Sequence, residues 1–511
     1  MTRRNVKTTP FWLKSHPPVE FPRLDADAKA DVLVVGGGIT GLTAAYLLGQ
    51  AGRSVIVVER DCIGGGETGH TTAHVTYVTD TRLADLEKRF GRDHAQAVWD
   101  AGASAMAEIQ TIVQREAIDC ELRQVPAFLV AAEDKDMQKE AAHLRQESRL
   151  ATQLGFDARF VDAAPVFGRP AMRVSNQLKF HPAKYLWGLA QAISKQGGRI
   201  FEHTEATDFE EEPSRAKAGG HTIHFDRVIF ATHVPIQGMR NPWSAALLQT
   251  KLAVYSTYAI GASIPKGLVP ESMWWDTGDP YLYLRVERGD DRDYVILGGE
   301  DHKTGQEADT ELPFRKLTTA LRYFIPEAAP ETRWSARVIE TVDGLPYIGE
   351  VRDGQFVATG FGGNGMTYGT LGGMMACDAI AGIKNPWQDL FSVDRKKLSA
   401  AWDYVSENKD YPYYMVKGRL NRGEPCHLED LKAGEGCVLR LDGENVAAYR
   451  DNAGTVSLRS AVCPHLGCIV TWNEAEKTWD CPCHGSRFHA NGEVMGGPAE
   501  SGLAPHPQTQ P

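Results

Sequence analysis

Asp31-Val32-Leu33-Val34-Val35-Gly36-Gly37-Gly38-Ile39-Thr40-Gly41 is the stretch on which the fold of most of this chain turns. Val32 to Val35 is a short, mostly β-branched apolar run that predicts a buried parallel strand. It feeds directly into glycines, and Leu42 to Gln50 then reads as a helix rich in Ala and Leu. A second apolar strand, Ser54 to Val58, ends in Glu59. G-x-G-x-x-G carries meaning in this setting. Gly36 permits the tight turn, Gly38 lets backbone approach a pyrophosphate, and Gly41 lets the helix lie close to the strand. The helix N-terminus faces the phosphates, and Glu59 is placed for the ribose hydroxyls. An acid there favours an unphosphorylated adenosine ribose, hence FAD or NAD.

The far end of the same region discriminates between the two. Asp343-Gly344-Leu345-Pro346 precedes a strand, Gln355 to Thr359, and Gly360-Phe361-Gly362-Gly363-Asn364-Gly365-Met366-Thr367 then opens a helix reaching Ala381. A second helix N-terminus brings a further positive dipole end into the fold, suited to a reduced flavin ring. With these marks, residues 31–384 resemble the D-amino-acid oxidase/glycine oxidase family of FAD oxidoreductases. Gly64 to Thr72, His181-Pro182 and Val228 to Thr232 match as well. The resemblance implies an α/β Rossmann-like FAD-binding domain interleaved with an antiparallel-sheet substrate domain. It assigns to FAD Gly36, Gly38, Gly41, Glu59, Arg60, Thr68, His70, Ala206, Ala231, Asp343, Gly360, Asn364, Gly365, Met366 and Thr367. The plainer alternative is an NAD dehydrogenase with glycine turns.

Working outward to the C-terminal end, Cys463-Pro464-His465-Leu466-Gly467-Cys468 and Cys481-Pro482-Cys483-His484-Gly485-Ser486 form two boxes. Two thiolates and two imidazoles can hold a [2Fe–2S] cluster, and Cys463, His465, Cys481 and His484 supply them. A Cys2His2 zinc site is the rival reading. Box for box, the pattern resembles the Rieske protein of cytochrome bc complexes. Under that resemblance Cys468 and Cys483 are left over and free to bridge the ligand loops as a disulfide. From Leu420 onward, turns at Asp442-Gly443, Asn452-Ala453-Gly454 and Asn491-Gly492 suit a small all-β domain.

Between the flavin marks, Leu83 to Ala117 and Asp134 to Leu154 read as helices. Leu252 to Gly261 and Tyr281 to Val286 alternate like strands, which the resemblance makes a roof over the flavin. Tyr255, Tyr258, Tyr281 and Tyr283 are therefore candidates to line a substrate cavity. Two departures stand out. The arginine that holds a substrate carboxylate in amino-acid-oxidising members corresponds here to Val338, with Arg337 one residue off and so on the opposite strand face. A second arginine of glycine oxidase-like members corresponds to Gly363. His70 and His74 form an H-x-x-x-H without an evident third ligand, and the resemblance places them in a loop beside the flavin.

A chain of 511 residues should hold about three domains. The expected divisions are an extended, Pro-rich arm over 1–30, the oxidoreductase over 31–395, a helix (Leu398 to Glu407) and linker over 396–419, and the Rieske domain over 420–511. A net charge of −11 argues against nucleic acid and anionic membranes as partners. No run is long and apolar enough to span a bilayer, and Arg3-Arg4 is not followed by an apolar export segment. Cys62, Cys120, Cys377, Cys426 and Cys437 are scattered, which reads as a reducing, cytoplasmic setting with one protected disulfide beside the cluster.

The expected function is a two-centre redox enzyme. A small molecule, an amine or amino-acid derivative, gives two electrons as hydride to FAD. The cluster passes them singly to a protein or quinone-like acceptor on its exposed histidine side. No catalytic acid or base can be named. The alternatives are flow from cluster to flavin, or a redox sensor without catalysis.

Overall fold

The computed structural model describes residues 8–15, 19–235, 248–249, 251–395, 426–441 and 443–507. Its centre is a six-stranded sheet in the order Tyr347–Arg352, Gln355–Thr359, Arg227–Phe230, Val32–Val35, Val55–Val58, Arg199–Phe201. The Val32–Val35 strand is buried throughout and parallel to both neighbours, so its apolar run has no solvent face to alternate toward. Gly36 (φ +112°) turns the chain into the helix Ile39–Gln50. A Cβ on Gly41 would fall 2.0 Å from the Gly36 carbonyl oxygen, so this helix–strand approach tolerates no side chain there.

The later helix, Gly365–Ala381, packs along the first one. A Cβ on Gly369 would lie 2.7 Å from Ile39 Cγ2, and one on Gly373 2.8 Å from the Ala44 nitrogen. Small residues at this spacing let two N-termini reach the same end of the sheet.

Beside this layer stands a nine-stranded sheet, in which Leu252–Pro265 runs antiparallel to both Arg292–Lys303 and Thr332–Thr341. The predicted helices are present as Leu83–Phe90 and Arg92–Glu116, broken at Gly91, and as Met137–Gln153. The cluster domain is all-β, with sheets of three and four strands. Turns fall at Asn452–Gly454 and Asn491–Gly492, while Asp442 and the predicted helix over 398–407 lie outside the described residues.

Two expectations are corrected. The N-terminal segment is not simply an extended arm. Phe11–Ser15 forms a helical turn whose Trp12 is fully buried and donates Nε1–H to the Thr71 carbonyl at 2.7 Å. An indole with its one donor satisfied in the core is a firm anchor. Nor are all the scattered cysteines unpaired: Cys426 and Cys437 form a second disulfide across the start of the cluster domain. One protected bridge therefore no longer describes this chain, and cysteine usage does not decide its compartment. No helix among the described residues is long and apolar enough to cross a membrane.

Candidate functional site

A cavity of about 1080 Å³ opens among the described residues. That is at the upper edge of usual ligand cavities, about 300–1000 Å³, and leaves room for an extended cofactor and a small substrate. Of the residues predicted for a dinucleotide, Gly36, Gly38, Glu59, Arg60, Thr68, His70, Ala206, Ala231, Asn364, Gly365 and Met366 line it. Gly38 caps the first helix without a side chain, and an added Cβ would meet only Thr68 Oγ1, at 3.2 Å. Glu59 accepts hydrogen bonds from the Gly37 and Asp61 amides at 2.7 and 2.9 Å. A bare helix N-terminus beside a fixed acid fits a dinucleotide.

Four predicted residues stand behind the cavity wall. Gly41 sits at the helix–strand contact. Thr367 donates Oγ1–H to the Thr76 carbonyl at 2.8 Å. Gly360 (φ +74°) is packed against Thr341. Asp343 is paired with Arg395 at 2.7 Å and accepts from the Leu345 amide, holding the turn in shape. Burial opposes ionisation of Asp343, but Arg395 outweighs it and lowers its pKa.

At the roof end, Tyr281 and Tyr283 line the cavity with Thr257, Trp275, His74 and Asp80. Tyr283 and Thr257 share a hydrogen bond of 2.6 Å. Tyr258 points away into the core, edge-on to Phe314, and Tyr255 is not part of the lining. Strand alternation decides this for Tyr258, since Thr257 takes the cavity face and Tyr258 the other. Asp80 accepts from the Gly363 amide at 2.6 Å, and burial raises its pKa. Nothing in the sequence around Asp80 marks it; only the fold brings it to Gly363.

His70 and His74 do not form a metal site. His70 ends the helical turn Glu67–His70, with Nδ1 3.0 Å from the Gly66 carbonyl oxygen. His74 lies on a short strand and is neutral, burial pushing its pKa down to about 3. The expectation that the one-residue offset turns Arg337 away is corrected, because Arg337 reaches the same cavity as Val338 and is engaged there by Glu67. Arg337 Nε donates to Glu67 at 2.6 Å, and both residues line the cavity, as does Val338. Burial opposes ionisation of Glu67, yet Arg337 holds its carboxyl at about 2.

In the cluster domain, Cys463 and Cys481 are buried, reduced and adjacent, and the His465 and His484 rings stand 4.9 Å apart at 88°. Burial pushes both imidazoles down to about 4, into the neutral form that ligates metals. His465 Nε2 lies 3.0 Å from Gln249 Oε1, while Gln249 Nε2 donates to the Pro235 carbonyl at 2.7 Å. That chain orients the amide, so His465 carries its proton on Nε2. Its buried Nδ1 lone pair is left without a partner, as an iron ligand requires. Cys468 and Cys483 are joined as a disulfide. The sulfurs of Cys468, Cys481 and Cys483 lie within 4.8 Å of one another, but bonded sulfurs are not thiolate donors. The four residues thus fit a [2Fe–2S] cluster.

The cluster domain is not a free tip with its histidines turned outward. His465 and Pro464 line the same cavity as the glycine loops. Arg487, itself buried, donates to Ser335 Oγ at 3.1 Å and to Glu476 at 2.7 Å. Gln306 donates to the Pro482 carbonyl at 3.1 Å, and Ala475 donates its amide to Thr310 Oγ1 at 3.1 Å. Gly485 packs on Val254, where a Cβ would approach to 2.6 Å. The roof sheet therefore carries the cluster loops on its flank. Gln249, Ser335 and Gln306 each lie more than a hundred residues from their partners in the cluster domain, so no local signal marked them.

The family described as FAD dependent oxidoreductase matches residues 31–379, and that described as Rieske [2Fe-2S] domain matches residues 422–507. The Rieske 2Fe-2S iron-sulfur protein YhfW of Bacillus subtilis (strain 168) is 33% identical over 497 residues, which is 96% of either chain. Gamma-glutamylputrescine oxidoreductase of Escherichia coli (strain K12) is 24% identical, over 71% of this chain and 86% of that one. The crystal structure of glycine oxidase from Geobacillus kaustophilus superposes with a TM-score of 0.60 at 19% identity, covering 72% of this chain and all of that one (100%).

Proposed function

Because this chain belongs to the FAD-dependent oxidoreductase family and ends in a Rieske [2Fe–2S] domain, we propose that it oxidises a small cationic amine and delivers the electrons to an external acceptor. When bound, FAD supplies a two-electron hydride acceptor and the [2Fe–2S] cluster a one-electron carrier. The observation that carries this reading is the shared cavity, lined by Gly36, Gly38 and Gly365 at one part and by Pro464 and His465 at another. Gly36, Gly38 and Glu59 would hold the dinucleotide end, and the positive N-terminus of Gly365–Ala381 would favour negative charge on the flavin. Cys463, His465, Cys481 and His484 would hold the cluster.

The chemistry of the roof supports an amine over an amino acid. Val338 and Gly363 stand where the family's carboxylate-binding arginines would be, and Glu67 neutralises the charge of Arg337. Asp80, Tyr281 and Tyr283 instead offer a carboxylate and aromatic faces, which suit an ammonium group. Leu466 and Val462, exposed beside the ligand loop, mark where an acceptor can approach the cluster.

Anaerobic stopped-flow mixing with amines and amino acids tests the proposal. An amine should bleach the flavin and then fill the cluster. In His484→Ala the amine should bleach the flavin once, with no turnover against a one-electron acceptor. Bleaching by α-amino acids alone overturns the substrate class. No bleaching by any donor, with a reduced ferredoxin filling first cluster and then flavin, overturns the direction.

A further inference from the structure

The cluster domain touches the cavity at a second place that electron transfer does not require. Met495, Gly496, Gly497, Pro498, Ala499 and Ser501 line it alongside Glu59 and Arg60. This segment leaves the last strand of the cluster domain, Val494–Gly496, and turns back toward the ligand loop. Arg60 Nη2 donates to the Met495 carbonyl at 3.0 Å, so the residue next to the ribose acid is tied to the cluster domain. Arg337 closes the other side: a Cβ on Gly496 would fall 2.1 Å from its Nη1. That Nη1 is buried and has no hydrogen-bond partner.

The segment is also packed closely from behind. A Cβ on Gly497 would fall 2.5 Å from Ser486 Cα, and the Ala499 amide donates to Ser486 Oγ at 3.1 Å. Ser486 in turn lies next to the Cys463 thiol. Glycines at 496 and 497 leave no side chains between the cavity and this backing.

We propose that residues 495–501 of the Rieske domain form a wall of the FAD site, so that the docked cluster domain helps to hold the flavin cofactor. The inference rests on the cavity being the FAD site. It assigns the domain a binding role beyond carrying electrons. A wall contributed by a separate domain closes the site only when that domain is docked, and an undocked domain leaves the ribose end open to water. The consequence runs both ways: whatever the docked domain contributes to FAD binding, bound FAD returns to docking.

Two measurements on the full chain test it. The first is amide hydrogen exchange of cluster-loaded protein with FAD removed and restored. Peptides covering 31–50 report binding itself, and peptides covering 493–503 report the wall. Slowing of both supports the proposal; slowing of the first alone overturns it. If neither slows, the cavity is not the FAD site and the reading beneath the inference fails instead. The second is FAD affinity in Ala475→Arg, which places a long cation at the buried contact with Thr310, outside the cavity lining. With the cluster spectrum intact, FAD should bind at least tenfold more weakly. Affinity within twofold of wild type, in a variant whose faster exchange at Thr332–Thr341 shows the domain undocked, overturns the proposal. Gly496→Val, which acts on the wall itself, should weaken FAD by a similar factor, and binding within twofold there counts equally against it.

Discussion

Phe488 occupies the place where bc-type Rieske proteins carry a tyrosine whose hydroxyl donates toward the cluster sulfur. The side chain is fully buried and packed in the same core as Cys463 and Cys481. Ser486 keeps its hydroxyl beside Cys463, so one of the two donors is retained. Phe488→Tyr should raise the cluster potential by about 40 mV, taking one net hydrogen bond as about 1 kcal/mol and a tenfold change as 59 mV. Potentiometry followed by EPR checks this, and a potential that stays put or drops in a cluster-loaded variant refutes the assignment. At the same scale Gln249 is the residue that no local reading could find. It reaches His465 only because folding brings its amide to Nε2 across 216 residues.

Among elements, the first glycine turn separates two roles that its motif merges. Gly41→Ala must displace the Gly36 carbonyl, since the Cβ would sit 2.0 Å from it. This variant should lose stability by a few kcal/mol, as overpacking of a tight contact does. Gly38→Ala meets only Thr68 Oγ1 at 3.2 Å and should fold as wild type. Its methyl group nevertheless stands where backbone must approach the pyrophosphate, so FAD should bind at least tenfold more weakly. Circular dichroism melts with an FAD titration of the apoprotein distinguish the two. Equal FAD affinity in Gly38→Ala and wild type would show that the phosphates lie elsewhere. The roof strands teach the complementary lesson. Their existence is legible from alternation, but which tyrosines face the cavity depends on register, and of the strand residues Tyr283 lines it while Tyr258 packs into the core.

For the whole molecule, Arg487 is the joint. It is buried within the cluster domain, paired with Asp480 and Glu476, and reaches Ser335 of the roof sheet. Arg487→Ala leaves two carboxylates without their cation, a change that typically costs about 3–5 kcal/mol. Hydrogen exchange should rise at both Thr332–Thr341 and Thr478–Asp480, and flavin-to-cluster transfer should slow. Protection unchanged on both strands would mean that the remaining contacts at Gly485, Gln306 and Ala475 suffice to dock the domain.

Chemistry written in contiguous residues was legible from the sequence alone. The strand–glycine–helix unit from Asp31 to Gln50, the later glycine loop, and the two Cys/His boxes each carry their ligands within a few residues of chain. Backbone geometry ties such spacing to function before any tertiary contact forms. What needed the tertiary structure was every relation between segments. The N-terminal helical turn is pinned by Trp12, the Cys426–Cys437 bridge closes a second loop, and Asp80 meets Gly363 across 283 residues. Most of all, the cluster domain lies against the roof and lines the same cavity as the glycine loops, where its exposed-loop motif suggested an outward-facing tip. A motif specifies what its residues can bind. Which way it faces is decided by the surfaces that fold against it, here Val254, Ser335 and Gln249.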